Sequence, residues 1–273
     1  GRVQVASAGH ELGQGMTTMM AQVAAEELGV PVDRVAVALG DSDLPPAIVA
    51  GGSSSTASVA PAIMAACAAI RRRLGAETPA AVMPAMEASG MGAVEELAET
   101  RPHGVAPEGM RALYRGQAGP AGGVHLPDRV QFALGAQFVE VRIHALTHEI
   151  RVPRAVGAFA CGRIINPRTA HGQLVGGMIW GIGSALHEAT EIDERNGAYI
   201  NANLAEYLLP VNADIGEVQA IMVPEEDRAV NAAGVKGVGE IGVVGVAAAI
   251  ANAVFHATGR RLRDLPIRIE DVL

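Results

Sequence analysis

The stretch Val3–Pro31, VQVASAGHELGQGMTTMMAQVAAEELGVP, decides the fold class of this chain. Its apolar residues alternate over 3–8, which predicts a β-strand, and the loop Gly13-Gln14-Gly15 follows. A helix is predicted over 16–28, because the glycine and proline that come next end helices. The stretch therefore has the order strand, glycine-rich loop, helix.

The same order is predicted twice more, over 156–189 and 230–258. Each of the three copies places backbone N–H groups of a loop at a helix N-terminus, a geometry that suits phosphate or another oxyanion. Strands and helices that are interspersed without strict βαβ repetition predict an α+β fold with mixed sheets. Further strands are predicted over 35–39, 138–143, 150–159 and 218–223, and helices over 58–74, 167–189 and 243–258.

Two lobes are expected, over about 1–130 and 131–273. Residues 75–130 are rich in Pro, Gly and Met and are interpreted as the connection between them, with one helical signal around 94–99. The helix over 167–189 contains five glycines, each of which costs about 1 kcal/mol relative to alanine. They predict that another helix, or a ligand, packs closely against it.

Composition excludes several classes of protein. The chain is 49% hydrophobic with a net charge of −8, so it is globular and has no nucleic-acid-binding footprint. Its two cysteines, Cys67 and Cys161, cannot build an iron–sulfur cluster, which needs about four thiolates. No apolar run of about 18 residues is evident, so no membrane span is predicted. The start at Gly1, without Met or a signal peptide, is interpreted as that of a fragment or a processed subunit.

Two loops of small and polar residues suit ligand binding. Gly13–Thr18 joins glycines to threonine hydroxyls and is either a cradle for an anion or cofactor, or an ordinary helix start. The hydroxyl-rich loop Gly51–Ser58 is either a second cradle or a flexible linker. His10 and Glu11, which precede the first loop, are interpreted as a solvated turn, with contact to the substrate as the alternative.

A third loop, Lys236–Gly242, places a lone carboxylate, Glu240, between glycines at the start of an apolar helix. The helix dipole favours the ionised form of such a group and burial disfavours it, a balance that suits a general base. The alternative is an ordinary charged residue in the first turn of a helix.

These loops and other motifs follow one another over nearly the whole chain: Gly13–Thr18, Gly40-Asp41-Ser42 with Pro45-Pro46, Gly162–Pro167, Gln173 with Gly176-Gly177, and Lys236–Glu240. Together they resemble the xanthine oxidase and aldehyde oxidoreductase family. The matching part is the second, C-terminal molybdenum-cofactor-binding domain of the molybdopterin-binding subunit. The continuation Glu240-Ile241-Gly242 is most similar to bacterial periplasmic-type aldehyde oxidoreductases, whereas xanthine dehydrogenases more often have proline after the glutamate.

The resemblance implies that this chain contributes to a site for molybdopterin cytosine dinucleotide with molybdenum. No side chain need ligate the metal, which the pterin dithiolene holds, and Glu240 would be the catalytic base. The implied cofactor-binding residues are Gln14, Gly15, Met16, Thr17, Thr18, Ser58, Val59, Ala60, Arg163, Ile164, Ile165, Asn166, Pro167, Arg168, Thr169, Gln173, Lys236, Gly237, Val238 and Gly239.

The reaction that the resemblance implies is oxidation of an aldehyde to a carboxylic acid, with water as the oxygen source. The alternatives are hydroxylation of an N-heterocycle of the purine, isoquinoline or nicotinate type, and a catalytically incomplete cofactor-binding or assembly module. The family's earlier cofactor domain does not precede Gly1, so partners are expected to supply it, together with iron–sulfur clusters and possibly FAD. Retention of the cofactor by the isolated chain stays open, and so does a cytoplasmic or periplasmic location.

Overall fold

The computed structural model describes residues 1–44, 47–100, 111–112, 115–117 and 132–273. Helices and strands are mixed along these residues, which confirms the predicted α+β class. In chain order the elements are β1 (Val3–Ser7), α1 (Met16–Leu28), β2 (Val35–Leu39), α2 (Ser55–Leu74), α3 (Val82–Ser89), β3 (Leu134–Ile143), β4 (Ile150–Ala160), α4 (Pro167–Leu186), β5 (Ile192–Asp193), β6 (Ala198–Tyr199), β7 (Ile215–Met222), α5 (Ile241–Val244) and α6 (Val246–Thr258).

The sheets are small and mixed. β1 and β2 pair in parallel, with Val3 opposite Val35, as expected for two strands that a crossover helix connects. β4 is the central strand of the second sheet, antiparallel to β3 and parallel to β7. The predicted pairing of the segments around residues 138–143 and 150–159 is confirmed. β5 and β6 form a short hairpin.

The chain folds into two compact units that each combine distant segments. Unit 1 comprises Gly1–Ala133, Cys161–Ala170 and Pro224–Gly237. Unit 2 comprises Leu134–Ala160, His171–Val223 and Val238–Leu273. The units therefore differ from a division by one cut near residue 130. The physical reason is that Ala233 and Val235, each 2% exposed, belong to the core of unit 1.

The core of unit 1 lies between α1 and α2. Residues at helical spacing on α1 are buried, among them Met16, Met20 and Val23, and they meet the small residues Ala57 and Ala60 of α2. The β1–β2 pair adds partly buried valines to this cluster. A core of alanines and methionines lets α1 and α2 pack closely against each other. The N-termini of both helices therefore belong to unit 1.

In unit 2 the glycines of α4 mediate close packing. A Cβ added to Gly177 would lie 2.9 Å from the Cα of Gly242, and one added to Gly181 would lie 2.5 Å from the Cβ of Val246. Of the two expectations for this glycine-rich helix, packing by another helix is therefore confirmed at these positions. Gly172 and Gly176 have nothing within 4 Å of an added Cβ.

The expectation that no apolar run is long enough for a membrane span is wrong. One helical stretch among the described residues, Ile241–Thr258, has 18 residues and a mean hydropathy of 1.7. Its few polar residues are isolated and do not lower this mean enough to exclude a span. Only 22% of it is buried. Length and composition do not distinguish a span from a core helix, and the fully buried stripe Val246, Ile250 and Val254 is that of a helix packed on a protein core.

Several element boundaries differ from those predicted. The signal around 94–99 is not helical, because six residues without neighbouring helix are too short to offset the cost of helix nucleation. α3 and the β5–β6 hairpin were not predicted. The third strand–loop–helix copy has no strand, only an isolated bridge between Gly162 and Val235. The motif Pro45-Pro46 lies outside the described residues.

Candidate functional site

The loop before α1 is closed by a carboxylate of the same chain. Glu11 Oε1 accepts hydrogen bonds from the backbone N–H groups of Gly13 and Gly15, both at 3.0 Å, and its Oε2 accepts from Thr17 at 2.9 Å. Burial raises the pKa of the Glu11 carboxyl, but these three N–H donors outweigh it and lower the pKa below its ordinary value of 4.5. Glu11 is exposed and lies in a turn, as interpreted from the sequence, and its carboxylate in addition organises the loop.

A second turn meets this loop inside unit 1. A Cβ added to Gly15 would lie 2.6 Å from the Cγ2 of Thr169, so the two segments are in van der Waals contact. Asn166 begins α4, and its Oδ1 accepts from the N–H groups of Arg168 at 3.0 Å and Thr169 at 3.1 Å. Its Nδ2 donates to Gln22 Oε1 on α1 at 3.1 Å. Asn166 thus caps one helix and binds another, as its side chain chemistry permits.

Arg163 connects the same turn to two other segments. One guanidinium nitrogen donates to both carboxylate oxygens of Glu26 at 2.7 Å. Its backbone N–H donates to the Gly234 carbonyl at 2.7 Å, and the N–H of Lys236 donates to Cys161 at 3.0 Å. Segments 161–163 and 234–236 are therefore held side by side through their main chains.

Lys236, in the second of these segments, forms ion pairs with the carboxylates of Glu225 and Asp227. Lys236 Nζ is 2.7 Å from Glu225 Oε1 and 3.2 Å from Asp227 Oδ2, and its side chain is only 11% exposed. The other oxygen of Glu225 accepts from the Gly162 N–H at 2.8 Å. The hydrogen bonds from Lys236 and Gly162 lower the pKa of Glu225. Burial lowers the pKa of Lys236, but its two carboxylate partners outweigh burial and raise it. The Lys236 ammonium is thus neutralised within the protein.

The loop before α2 approaches the main chain of the Lys236 segment. A Cβ added to Gly237 would lie 2.8 Å from the Cβ of Ser53. Ser53 has a φ of 55°, a left-handed conformation that is uncommon outside glycine, so the loop is held in a strained shape. Ser54 is 2% exposed and donates its hydroxyl to the Gly51 carbonyl at 2.7 Å, so this hydroxyl does not cap the first turn of α2.

Unit 1 thus brings together predicted cofactor residues from four separate segments. Three of them, Met16, Val59 and Ala60, bury their side chains in the hydrophobic core, so these side chains are not presented to a ligand. Thr17, Thr18, Pro167 and Arg168 are exposed. The unit 1 members are Gln14, Gly15, Met16, Thr17, Thr18, Ser58, Val59, Ala60, Arg163, Ile164, Ile165, Asn166, Pro167, Arg168, Thr169, Lys236 and Gly237.

The remaining predicted residues belong to unit 2, namely Gln173, Val238, Gly239 and Glu240. Glu240 is exposed and is the residue before α5, where its carbonyl accepts from Val243 at 3.2 Å. Two residues on, Gly242 packs so closely on α4 that an added Cβ would lie 2.6 Å from the Leu174 carbonyl oxygen. The main chain beside Glu240 is therefore fixed by contact with α4.

Sequence reasoning missed Glu11 and Glu225. A carboxylate two residues before a glycine loop is a signal that could have identified Glu11 as an acceptor for that loop's N–H groups. Glu225 has no such signal, because it lies eleven positions from its partner Lys236 in a segment without regular structure. Within the described residues no three His, Cys, Asp or Glu converge on a possible metal site. The polar groups assembled in unit 1 are backbone N–H groups, hydroxyls and amides, a kind of group that suits phosphate and sugar better than a metal ion. Those of the Glu11 loop and the Asn166 turn hydrogen-bond within the protein.

This chain is similar to known molybdopterin-binding and molybdenum-binding proteins. A family model described as a molybdopterin cofactor-binding domain matches residues 1–216. The molybdenum-binding subunit of the aldehyde oxidoreductase of Escherichia coli K12 is 36% identical over 283 residues, covering 100% of this chain and 37% of that subunit. The putative xanthine dehydrogenase molybdenum-binding subunit of the same organism is 32% identical, covering 98% of this chain and 37% of that subunit.

The fold is also found in a solved structure. The crystal structure of quinoline 2-oxidoreductase from Pseudomonas putida 86 matches with a TM-score of 0.77 and 24% identity, over 100% of this chain and 36% of that chain. At that identity the likeness shows the fold alone. The chain belongs to the molybdopterin cofactor-binding domain family, and with it to the molybdenum-binding subunits of the xanthine oxidase family. It spans about 37% of the length of these two curated relatives.

Proposed function

We propose that this chain forms part of a molybdenum hydroxylase that oxidises an aldehyde to a carboxylic acid, with water as the oxygen source. The observation that carries the proposal is the convergence of four small-residue and polar segments in unit 1 of a chain 36% identical to an aldehyde oxidoreductase subunit. The continuation of Glu240 with isoleucine rather than proline favours the aldehyde reaction.

The proposed ligand of unit 1 is molybdopterin cytosine dinucleotide, which polar groups of several segments would contact. The segment Ser53–Ser58 supplies hydroxyls at the start of α2, and Ser53 packs directly against Gly237. The exposed Thr18 and the Asn166–Thr169 turn add further polar groups. Lys236 offers neither its ammonium, which is already paired, nor its N–H, which donates to the Cys161 carbonyl, so its proposed contribution is to hold the adjacent main chain in place. When bound, the cofactor supplies the metal centre that activates water and accepts the electron pair of the substrate.

Glu240 is proposed as the general base. Its carboxylate would take the proton of the attacking water, and the Gly242–α4 contact would keep the main chain from moving away during the reaction. The iron–sulfur clusters, and FAD where the complex has one, are assigned to partner chains, because two cysteines cannot hold a cluster. The remaining molybdopterin-binding domain, on the same polypeptide or on another, would complete the site.

The test uses the chain assembled with the rest of its molybdenum enzyme. Glu240→Gln removes the base while keeping the size of the side chain, and we expect aldehyde turnover to fall by about 10²–10⁴-fold. Molybdenum and released cytosine nucleotide per complex should stay at wild-type levels. Glu194→Gln, an exposed carboxylate beside the β5–β6 hairpin, is the matched control and should keep full turnover.

Turnover by Glu240→Gln above about a hundredth of wild type would refute the base assignment. Oxidation of purines or N-heterocycles without oxidation of aldehydes would replace the aldehyde reaction by the heterocycle alternative. Absence of molybdenum and cytosine nucleotide from both the isolated chain and the assembly would favour a catalytically incomplete module.

A further inference from the structure

The backbone site at the start of α1 is already filled. The N–H groups of Gly13, Gly15 and Thr17 are those that such a loop would direct at a bound anion, and all three donate to Glu11. The positive φ values of Gly13 (97°) and Gly15 (88°) allow the main chain to wrap around this carboxylate. No donor among these three N–H groups is left for an external phosphate while Glu11 is in place.

The other polar side chain of the loop is also bound within it. Gln14 Nε2 donates to the His10 carbonyl at 2.7 Å, and Gln14 Oε1 accepts from the N–H of Leu12 at 2.5 Å. The loop from residue 10 to 17 is therefore a closed turn with its own acceptor. Gly15 of this turn contacts the side chain of Thr169.

A tethered carboxylate has a clear advantage over a free anion at this place. It is covalently held within reach, so its effective concentration is far above that of phosphate in solution. Its charge also lies at the positive end of the α1 dipole, where charge-assisted hydrogen bonds are strongest. Glu11 is exposed, yet these terms together hold it against the loop.

We propose that Glu11 is a built-in anion and a positioning residue for the cofactor loop. Its carboxylate fills the backbone anion site of α1, excludes phosphate from it, and fixes the turn that carries Gly15 against Thr169. The positioning role rests on the proposed function, whereas the filling of the anion site does not. The contribution of this loop to a cofactor then comes from its shape and from Thr18 rather than from its N-terminal N–H groups.

The first experiment is chemical rescue of the 273-residue chain. Glu11→Ala empties the site, and we expect the Tm to fall by about 3–6 °C. Formate at about 0.2 M, compared with chloride at equal ionic strength, should restore at least half of that loss by binding the vacated N–H groups. Inorganic phosphate should also raise the Tm of this variant more than that of wild type.

Two further variants make the result specific. Glu77→Ala removes an exposed carboxylate that has no hydrogen bond among the described residues, and its Tm should not respond to formate beyond the wild-type response. Glu11→Gln keeps the side-chain length and one acceptor oxygen, so it should lose less stability than Glu11→Ala and show no formate rescue. Should Glu11→Ala not fold, refolding of that variant by formate but not chloride serves as the same readout. The proposal that the Glu11 carboxylate fills the anion site is overturned if Glu11→Ala leaves the Tm unchanged, or if formate does not restore the lost Tm.

The second experiment tests positioning in the assembled enzyme. Cytosine nucleotide released per complex is expected to drop about tenfold in Glu11→Ala and to recover when formate is present during loading. Recovery of the Tm by formate with unchanged nucleotide content in the variant would restrict Glu11 to stability and refute its positioning role. Absence of both molybdenum and cytosine nucleotide from wild type as well would refute the proposed function, while the rescue experiment would still decide whether Glu11 fills the anion site.

Discussion

Glu225 shows how one residue can hold two loops through both oxygens of its carboxylate. It binds the Lys236 ammonium on one side and the Gly162 N–H on the other, so its loss would leave the poorly exposed Lys236 charge with Asp227 alone and the Gly162 donor without its partner. We expect Glu225→Gln to lower the free energy of unfolding by about 1–3 kcal/mol, which urea denaturation measures.

The neighbouring Glu226 is a matched control for this prediction. It pairs with Arg228 at 2.6 Å, but the two side chains are 50% and 70% exposed. Exposed pairs of this kind contribute about 0–1 kcal/mol, so Glu226→Gln should be close to wild type. Equal losses in both variants would show that burial of the Glu225 pair has no special effect.

The same residues predict how stability changes with pH. Glu225 and Glu11 have lowered pKa values in the folded chain, so their contribution is complete above the unfolded value of 4.5 and is lost as the pH falls below it. Lys236 has a raised pKa, so its contribution is complete below 10.5 and is lost at higher pH. Urea midpoints measured across pH should fall on both sides, and Glu225→Gln should flatten both losses. An acid-side loss that is as steep in Glu225→Gln as in wild type would contradict the assignment.

At the scale of elements, the contact of α4 with the start of α5 depends on glycine. Because a Cβ on Gly177 or Gly242 would lie within 3 Å of backbone atoms, neither segment can give way easily. We expect Gly177→Ala and Gly242→Ala to destabilise the chain by about 1–3 kcal/mol, as overpacking does. Urea denaturation measures the stability, and turnover of the assembled enzyme reports whether Glu240 is displaced.

Gly176 is the internal control on the same helix. An added Cβ there has nothing within 4 Å, and alanine is the better helix former. Gly176→Ala should therefore stabilise the chain by about 0.5–1 kcal/mol. If all three alanine variants behaved alike, helix propensity rather than close packing would determine their stability.

The elements that sequence predicted well are those with a strong local signal. The bounds of α1 and β2 agree with prediction, since glycine and proline end α1 and a short valine-rich run forms β2. The start of α2 at Ser55 was placed three residues late, because the serines of its first turn read as loop. α3 was missed because a proline and neighbouring glycines obscure its eight residues.

The site was predictable only in part, for a similar reason. The loops could be found from their glycines and hydroxyls, but Lys236 pairs with Glu225 across 11 positions without regular structure, and Asn166 pairs with Gln22 across 144 positions. Such contacts depend on the tertiary fold. The sequence motif predicts that Lys236 binds a ligand, but its ammonium is paired with Glu225 and Asp227 of the same chain.

At the scale of the whole molecule, the chain enters unit 1 three times. The segments Cys161–Ala170 and Pro224–Gly237 complete the unit that Gly1–Ala133 begins. They bring Ala233 and Val235 into its core, and they carry the Arg163–Glu26 and Lys236–Glu225 pairs. A fragment that ends at residue 133 would therefore expose part of this core and lose every contact of the Asn166 turn with α1.

We expect the fragment 1–133 to lack a cooperative urea transition and to bind the dye ANS, because the missing segments leave apolar surface of α1 and α2 in water. Co-expression with the fragment 134–273 should restore a single transition, since both later segments return with it. The matched control is a chain with a cleavable linker inserted between Asn196 and Gly197, in the exposed turn of the β5–β6 hairpin, where cleavage places Pro224–Gly237 on the second piece but cuts inside no segment of unit 1 and removes none of them. Cleavage there should leave the transition of unit 1 unchanged. A sharp transition of 1–133 alone at the wild-type midpoint would contradict this prediction. It would mean that residues 1–133 fold cooperatively without Cys161–Ala170 and Pro224–Gly237.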